Sequence, residues 1–161
     1  MQDYSVRFLT DLLRIYSPSG KEEAIADFLV KEMKKLGFRV RKDAIGNVIG
    51  EIGKGEPTIL LCGHMDTIVG NLPVRVENKK LYGAGAVDAK APLAAMIIAA
   101  ATLARESVLK AKILLVGAVE EEATSAGIKH IIKQGLQADY AIFGEPSGVE
   151  NITIGYKGSL H

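Results

Sequence analysis

Three apolar runs in this sequence each end in residues able to do chemistry. Ile59-Leu60-Leu61-Cys62 runs into Gly63-His64-Met65-Asp66-Thr67, Ile113 to Val119 into Glu120-Glu121-Glu122, and Ala141-Ile142-Phe143 into Gly144-Glu145-Pro146. His64 and Asp66 are two apart, so on extended chain they point the same way. A metal-bound imidazole gives its second N–H to a carboxylate or carbonyl, and His-x-Asp supplies that pair locally; a surface histidine beside an acid reads the same. Asp88 stands just before a long apolar run, where simple helix N-capping also accounts for it, with Pro92 in the first turn. An acidic triplet is usually a solvated face, but this one leaves a core run directly, where adjacent carboxylates repel unless a cation lies among them. Glu145 precedes Pro146, which holds it extended; its bland reading is a turn acid. One imidazole among several carboxylates is a hard nitrogen/oxygen set suited to Zn²⁺, Co²⁺ or Mn²⁺, and a carboxylate-bridged ion pair activates water for hydrolysis.

The elements that must position these residues follow from periodicity. Val6, Leu9, Leu12 and Leu13 predict a helix over 3–15, broken by Ser17-Pro18-Ser19-Gly20. Ser19 and Glu22 read as a capping box opening a second helix, whose stripe Ile25, Phe28, Leu29, Met33, Leu36 ends at Gly37. Phe38–Lys42 and Asn47–Ile52 alternate as short strands around a Gly46-Asn47 turn. Thr58–Cys62, Lys112–Val119 and Tyr140–Phe143 predict strands buried on both faces. Leu72–Val76 and Lys79–Tyr82 predict a hairpin around Glu77-Asn78; Asp88–Arg105 and Ser125–Gln134 predict helices, the second closed by Gly135, and Ile152–Tyr156 predicts one more extended segment. Strands alternating with helices imply an α/β three-layer sandwich around a largely parallel, mixed central sheet. If the three strands are parallel, their acidic and imidazole ends converge on one rim, just outside the carboxyl ends.

Composition narrows the classes. The 161 residues are 48% hydrophobic and 24% charged, which fits one globular domain and excludes a disordered or collagen-like chain. A net charge of +1 offers no field for nucleic acid or a membrane surface. The apolar run 91–104 is shorter than the ~20 residues a membrane span needs. A single cysteine, Cys62, forms no internal disulfide and reads as a buried core thiol, and with no signal-like N-terminus this suggests a cytoplasmic protein.

His64-Met65-Asp66-Thr67, Gly85-Ala86-Val87-Asp88-Ala89-Lys90, Glu120-Glu121-Glu122-Ala123-Thr124 and Gly144-Glu145-Pro146 resemble, in order and spacing, the dinuclear zinc aminoacylase/carboxypeptidase family. Acetylornithine deacetylase and succinyl-diaminopimelate desuccinylase belong to that family. Gly-Ala-Val-Asp-Ala-Lys followed by Pro-Leu is most similar to the branch that releases lysine or ornithine from an amino-group carrier protein, or from an acetyl group, in lysine or arginine biosynthesis. The resemblance implies a zinc aminopeptidase-like catalytic domain in which His64 binds one of two zinc ions, cobalt or manganese being alternatives. By the same resemblance Asp66 orients His64, Asp88 bridges both ions ahead of a cis Asp88–Ala89 peptide, and Glu145 completes the first site. Aligned on Ala123-Thr124, Glu121 becomes the general base and Glu122 a ligand of the second ion; a slip of one residue gives these roles to Glu120 and Glu121. Glu121 would take a proton from the attacking water and return it to the leaving amine. The substrate so implied is a small N-acyl amino acid (acetyl or succinyl) or a carrier-linked one.

Family members are about twice as long, with a lid and dimerisation domain and a late zinc histidine. Residues 1–161 therefore read as the N-terminal part of the catalytic domain, Ile154–Leu160 resembling the approach to the missing lid. The full-length protein is expected to be a homodimer through that lid, and the isolated chain to bind the first zinc weakly with little activity. His130 reads as solvent-facing, and His161 is assigned no role. Three other readings compete. A dinuclear zinc exopeptidase would share the site. A dinucleotide-binding domain fails because the acid Asp88 stands where the third glycine and a pyrophosphate would be. A non-catalytic metal- or partner-binding module would keep the fold without the chemistry.

Overall fold

The computed structural model describes residues 2–106, 109–148, 150 and 152–155. Its elements run α1 (Gln2–Arg14), α2 (Glu23–Lys35), β1 (Arg39–Lys42), β2 (Val48–Gly53), β3 (Thr58–His64), β4 (Arg75–Glu77), β5 (Lys80–Tyr82), α3 (Lys90–Arg105), β6 (Lys112–Ala118), α4 (Ala126–Lys133) and β7 (Tyr140–Phe143). Five strands form a mixed sheet in the order β1-β2-β6-β3-β7, and β4 pairs with β5 apart from it. β1–β2 and β2–β6 are antiparallel, while β6–β3 and β3–β7 are parallel.

Strand alternation sorts side chains onto two faces. Ile59 and Leu61 of β3 and Ile113 and Leu115 of β6 join Phe8, Leu12, Ile25, Leu29, Met33, Leu93 and Ile97 in the larger core under α1, α2 and α3. Leu60 and Cys62, with Val116 and Ala118, face the other way onto Ile128 and Ile131 of α4. The result is three layers, helices covering both faces of the sheet. Close approach is set by glycines: a Cβ at Gly63 would lie 3.2 Å from Met96 and 3.4 Å from Leu93, so α3 can rest directly on β3.

Several expectations are corrected. In α1, Phe8 is buried and Val6 exposed, so the stripe is rotated from the predicted one. The Ser19/Glu22 capping box is not formed: α2 has no side-chain cap, because Ser19 Oγ donates to Asp66 and Glu22 accepts from Gly20 and Glu120. The hairpin turn lies one residue later than predicted, at Asn78-Lys79, both with positive φ. α3 starts at Lys90 with Ala89 at its N-cap and no capping side chain, so N-capping does not account for Asp88. The Asp88–Ala89 peptide is cis, as the resemblance implies. β7 is not buried: among the described residues it is the sheet's last strand, paired with β3 on one side, and all four of its residues are exposed. His130 is partly buried in α4, its Nε2 3.8 Å from Asp43, rather than facing solvent. Ile152–Gly155 form no strand, and residues 156–161, which include His161 and most of the segment that resembles an approach to a lid, lie outside the described residues.

Candidate metal centre

Parallel pairing of β6, β3 and β7 brings their carboxyl ends to one rim. His64 lies opposite Ala118 of β6, so the triplet begins two residues beyond its level. Cys62 lies opposite Phe143, so His64 and Glu145, each two residues further on, end at the same height. Asp88 arrives from the loop before α3.

His64 is 1% exposed. Its Nδ1 is 2.9 Å from the main-chain oxygen of Asp66 and 3.4 Å from that residue's carboxylate. A carbonyl oxygen only accepts, so Nδ1 carries the proton and Nε2 is the atom turned to the rim. Nε2 is 3.0 Å from Asp88 Oδ1 and 3.9 Å from Glu121 Oε2. Burial alone would pull the imidazole down, but hydrogen bonds to Asp66 and Asp88 and the charges of Asp66 and Glu145 lift its pKa to about 9. A divalent cation bound at Nε2 would satisfy the same Asp88 carboxylate.

Asp66 is fully buried yet ionised, its pKa lowered to about 2. Burial opposes this; hydrogen bonds from His64, Ser19 and the N–H groups of Glu122 and Glu121 outweigh it. Partial burial raises Glu122, and the negative charge of Asp88 adds to the rise. Partial burial also raises Glu145; His64 opposes that rise, and Glu121, Asp88 and Glu122 reinforce it. Five carboxylates around one imidazole leave a surplus of negative charge on the rim, the condition a divalent cation relieves.

Among the described residues, His64, Asp88 and Glu122 bring one ligand atom each to within 4.8 Å of one another, and this donor set fits a divalent ion. Glu145 stays outside that trio but within its field. Glu120 turns away: its φ is 54°, and its carboxylate accepts from Thr124 Oγ1 at 2.6 Å. Cys62 is buried in the smaller core, and burial pushes its thiol up to about 12.

The sequence reading missed residues behind the rim. Glu22, Asn47 and Lys90 are buried polar side chains that all carry hydrogen bonds to main chain. Their local contexts, a helix start, a Gly-Asn turn and a motif lysine, gave no sign of these long-range partners. No helix among the described residues is long and apolar enough to cross a membrane.

Comparison with known proteins agrees with this geometry. Residues 60–157 match the model of peptidase family M20/M25/M40. A Pyrococcus furiosus protein provisionally named LysW-lysine/LysW-ornithine hydrolase is 49% identical over 156 residues, covering 96% of this chain and 45% of the relative. The LysW-lysine hydrolase of Deinococcus radiodurans is 44% identical, over 91% of this chain and 41% of its own. Among solved structures, the aminopeptidase PepT of Bacillus cereus superposes with a TM-score of 0.81 at 26% identity, covering 92% of this chain and 44% of that one. The M20 metallo-carboxypeptidase Sso-CP2 of Sulfolobus solfataricus gives 0.76 at 26%, over 87% and 37%. The chain thus spans less than half the length of these relatives. A family match over more than half of the chain, on a fold whose strand ends gather the motif residues, is decisive: the chain belongs to peptidase family M20/M25/M40.

Proposed function

We propose that this chain carries the metal-binding part of a hydrolase that cleaves the amide between the amino group of lysine or ornithine and an acyl partner, with an amino-group carrier protein as that partner. The observation that carries the reading is the convergence of His64, Asp88 and Glu122 on one point beside Glu121. The names of the 49% and 44% identical relatives support the choice of substrate.

In this reading His64, Asp88, Glu122 and Glu145 hold two divalent ions, zinc first, which when bound supply Lewis acidity and lower the pKa of water. Asp66 keeps His64 in the tautomer that presents Nε2. Glu121 takes the proton of the attacking water and delivers it to the leaving amine, serving as base and then acid. Two facts favour Glu121 and Glu122 over Glu120 and Glu121: Glu120 is engaged with Thr124, and Glu121 alone of the triplet pairs with His64. The reading also places a lid and dimer contacts outside residues 1–161 and the protein in the cytoplasm. A second reading, a dinuclear exopeptidase, is favoured by the likeness to an aminopeptidase and a carboxypeptidase and would differ only in the amide cleaved.

Metal content per chain after dialysis against trace zinc or cobalt tests the centre. Retained metal that is lost in His64→Ala is the expected result; no retained metal in this chain or in a longer protein that contains it overturns the reading. Release of free lysine or ornithine from carrier-linked rather than peptide substrates, by a protein containing this chain, separates the two substrate classes.

A further inference from the structure

Four consecutive main-chain N–H groups at the acidic turn are taken by buried side-chain oxygens from three distant segments. Val119 N–H donates to Asn47 Oδ1 at 3.0 Å, Glu120 N–H to Glu22 Oε1 at 2.9 Å, and Glu121 and Glu122 N–H to the two oxygens of Asp66 at 3.1 Å each. Asn47 is fully buried and also donates to Gly127 and Asp43, tying the far end of the turn to the same point. Glu22 is 7% exposed, and its Oε1 accepts from Gly20 as well.

The turn needs such restraint. Glu120 and Ser125 both adopt positive φ, a conformation uncommon for a residue that bears a side chain. The turn's own bonds, Ser125 N–H and Ala123 N–H to the Glu120 oxygen, fix its curvature but not its height relative to β3. Asp66 binds the turn to the end of β3 and Asn47 to the start of β2, while Glu22 takes the main-chain N–H of Glu120 and, among the described residues, is the partner from outside the turn that does so.

We infer that Glu22 is a positioning residue for the reaction: its buried carboxylate, by holding the Glu120 N–H, sets where Glu121 and Glu122 stand on the rim. This rests on the reading of Glu121 and Glu122 as the working carboxylates. Glu22 touches neither substrate nor metal and acts through the main chain alone. What it contributes is an acceptor oxygen rather than a charge, so glutamine can replace it and an apolar side chain of similar volume cannot.

Two measurements on the 161-residue chain test this, with Glu22→Met, Glu22→Gln and His64→Ala. Cobalt titration followed by visible absorption should show affinity about 10–100-fold weaker in Glu22→Met, the range typical for loss of a supporting partner, with Glu22→Gln near the unaltered chain. Amide hydrogen exchange, run without metal, should show Glu120–Glu122 exchanging faster in Glu22→Met while Leu114–Val116 of β6 keep their protection. Unchanged exchange at the turn, or equal loss of protection at turn and strand, overturns the inference. If neither the unaltered chain nor a longer protein that contains it binds cobalt, the metal reading fails by itself and the exchange result still decides on Glu22. If Glu22→Met does not fold, the unaltered chain decides: a Glu120 amide exchanging at the solvent-exposed rate overturns the inference, and one protected like Glu121 upholds it.

Discussion

A buried lysine two residues after Asp88 gives the molecule a pH-dependent stability. Lys90 is 1% exposed, and its Nζ donates to the main-chain oxygens of Ile15 at 2.7 Å and Leu12 at 3.3 Å, just where α1 ends. Burial pushes its pKa down from 10.5 to about 8. At this group the unfolded chain therefore holds more of the proton than the folded one between those values, so its own contribution to stability rises with pH across that window. Below about 8 both states are protonated and the cost of the buried charge is fully present. His64 and Cys62, whose folded pKa values are raised to about 9 and about 12, act in the opposite direction over parts of this range. The test is therefore a difference: the urea midpoint of the unaltered chain should gain on that of Lys90→Met as pH rises from 8 towards 10, and a difference that does not change with pH contradicts this account. The lysine itself was visible in the sequence only as part of a motif. Its role depends on α1 and α3 lying side by side, a relation between residues 12–15 and 90 that no local pattern encodes. His64, Asp66 and the triplet were legible for the opposite reason: each sits at the end of an apolar run that announces a core strand, and parallel strands bring such ends together.

At the scale of elements, two glycines separate propensity from packing. Gly127 lies in the first turn of α4, where helix propensity alone favours alanine by ~1 kcal/mol. The structure gives the opposite sign: a Cβ there would lie 2.5 Å from the Val119 oxygen and 2.6 Å from Asn47 Oδ1, inside the network that holds the acidic turn. Gly50 in β2 meets only the mobile end of Met33 as closely, at 2.4 Å. Overpacking costs about 1–3 kcal/mol, and Gly127→Ala should fall at the upper end because backbone cannot yield, Gly50→Ala at the lower because a methionine can. Equal losses in the two, read by chemical denaturation, would contradict this. The elements themselves were largely legible, since helical and alternating apolar spacing survive in the packed chain. What misled were residues with two competing uses. Ser19 and Glu22 have the spacing of a capping box, yet their oxygens are drawn to Asp66 and Glu120 instead. Tyr140–Phe143 reads as buried because it is apolar, yet its place at the end of the strand order leaves it exposed.

For the whole molecule the decisive fact is the strand order β1-β2-β6-β3-β7, which puts β6 at the centre. Leu115 and Val116, both fully buried, send alternate side chains into the two cores, so β6 joins the layers as well as the strands. Yet β6 follows both neighbours in the chain, separated from β3 by the β4–β5 hairpin and the whole of α3. During synthesis, β2 and β3 leave the ribosome with bare edges and wait for residues 112–118. The rim waits with them, because Asp66 has no turn to grip until Glu121 and Glu122 have been made. Metal therefore has no formed centre to enter until those residues have emerged. Nascent chains arrested with residues 1–105 exposed should be as protease-sensitive as an unfolded chain, and those exposing 1–125 markedly less so. The cell must guard a half-made sheet through the synthesis of α3, which makes this stretch of the message the place where slow translation would cost the protein most.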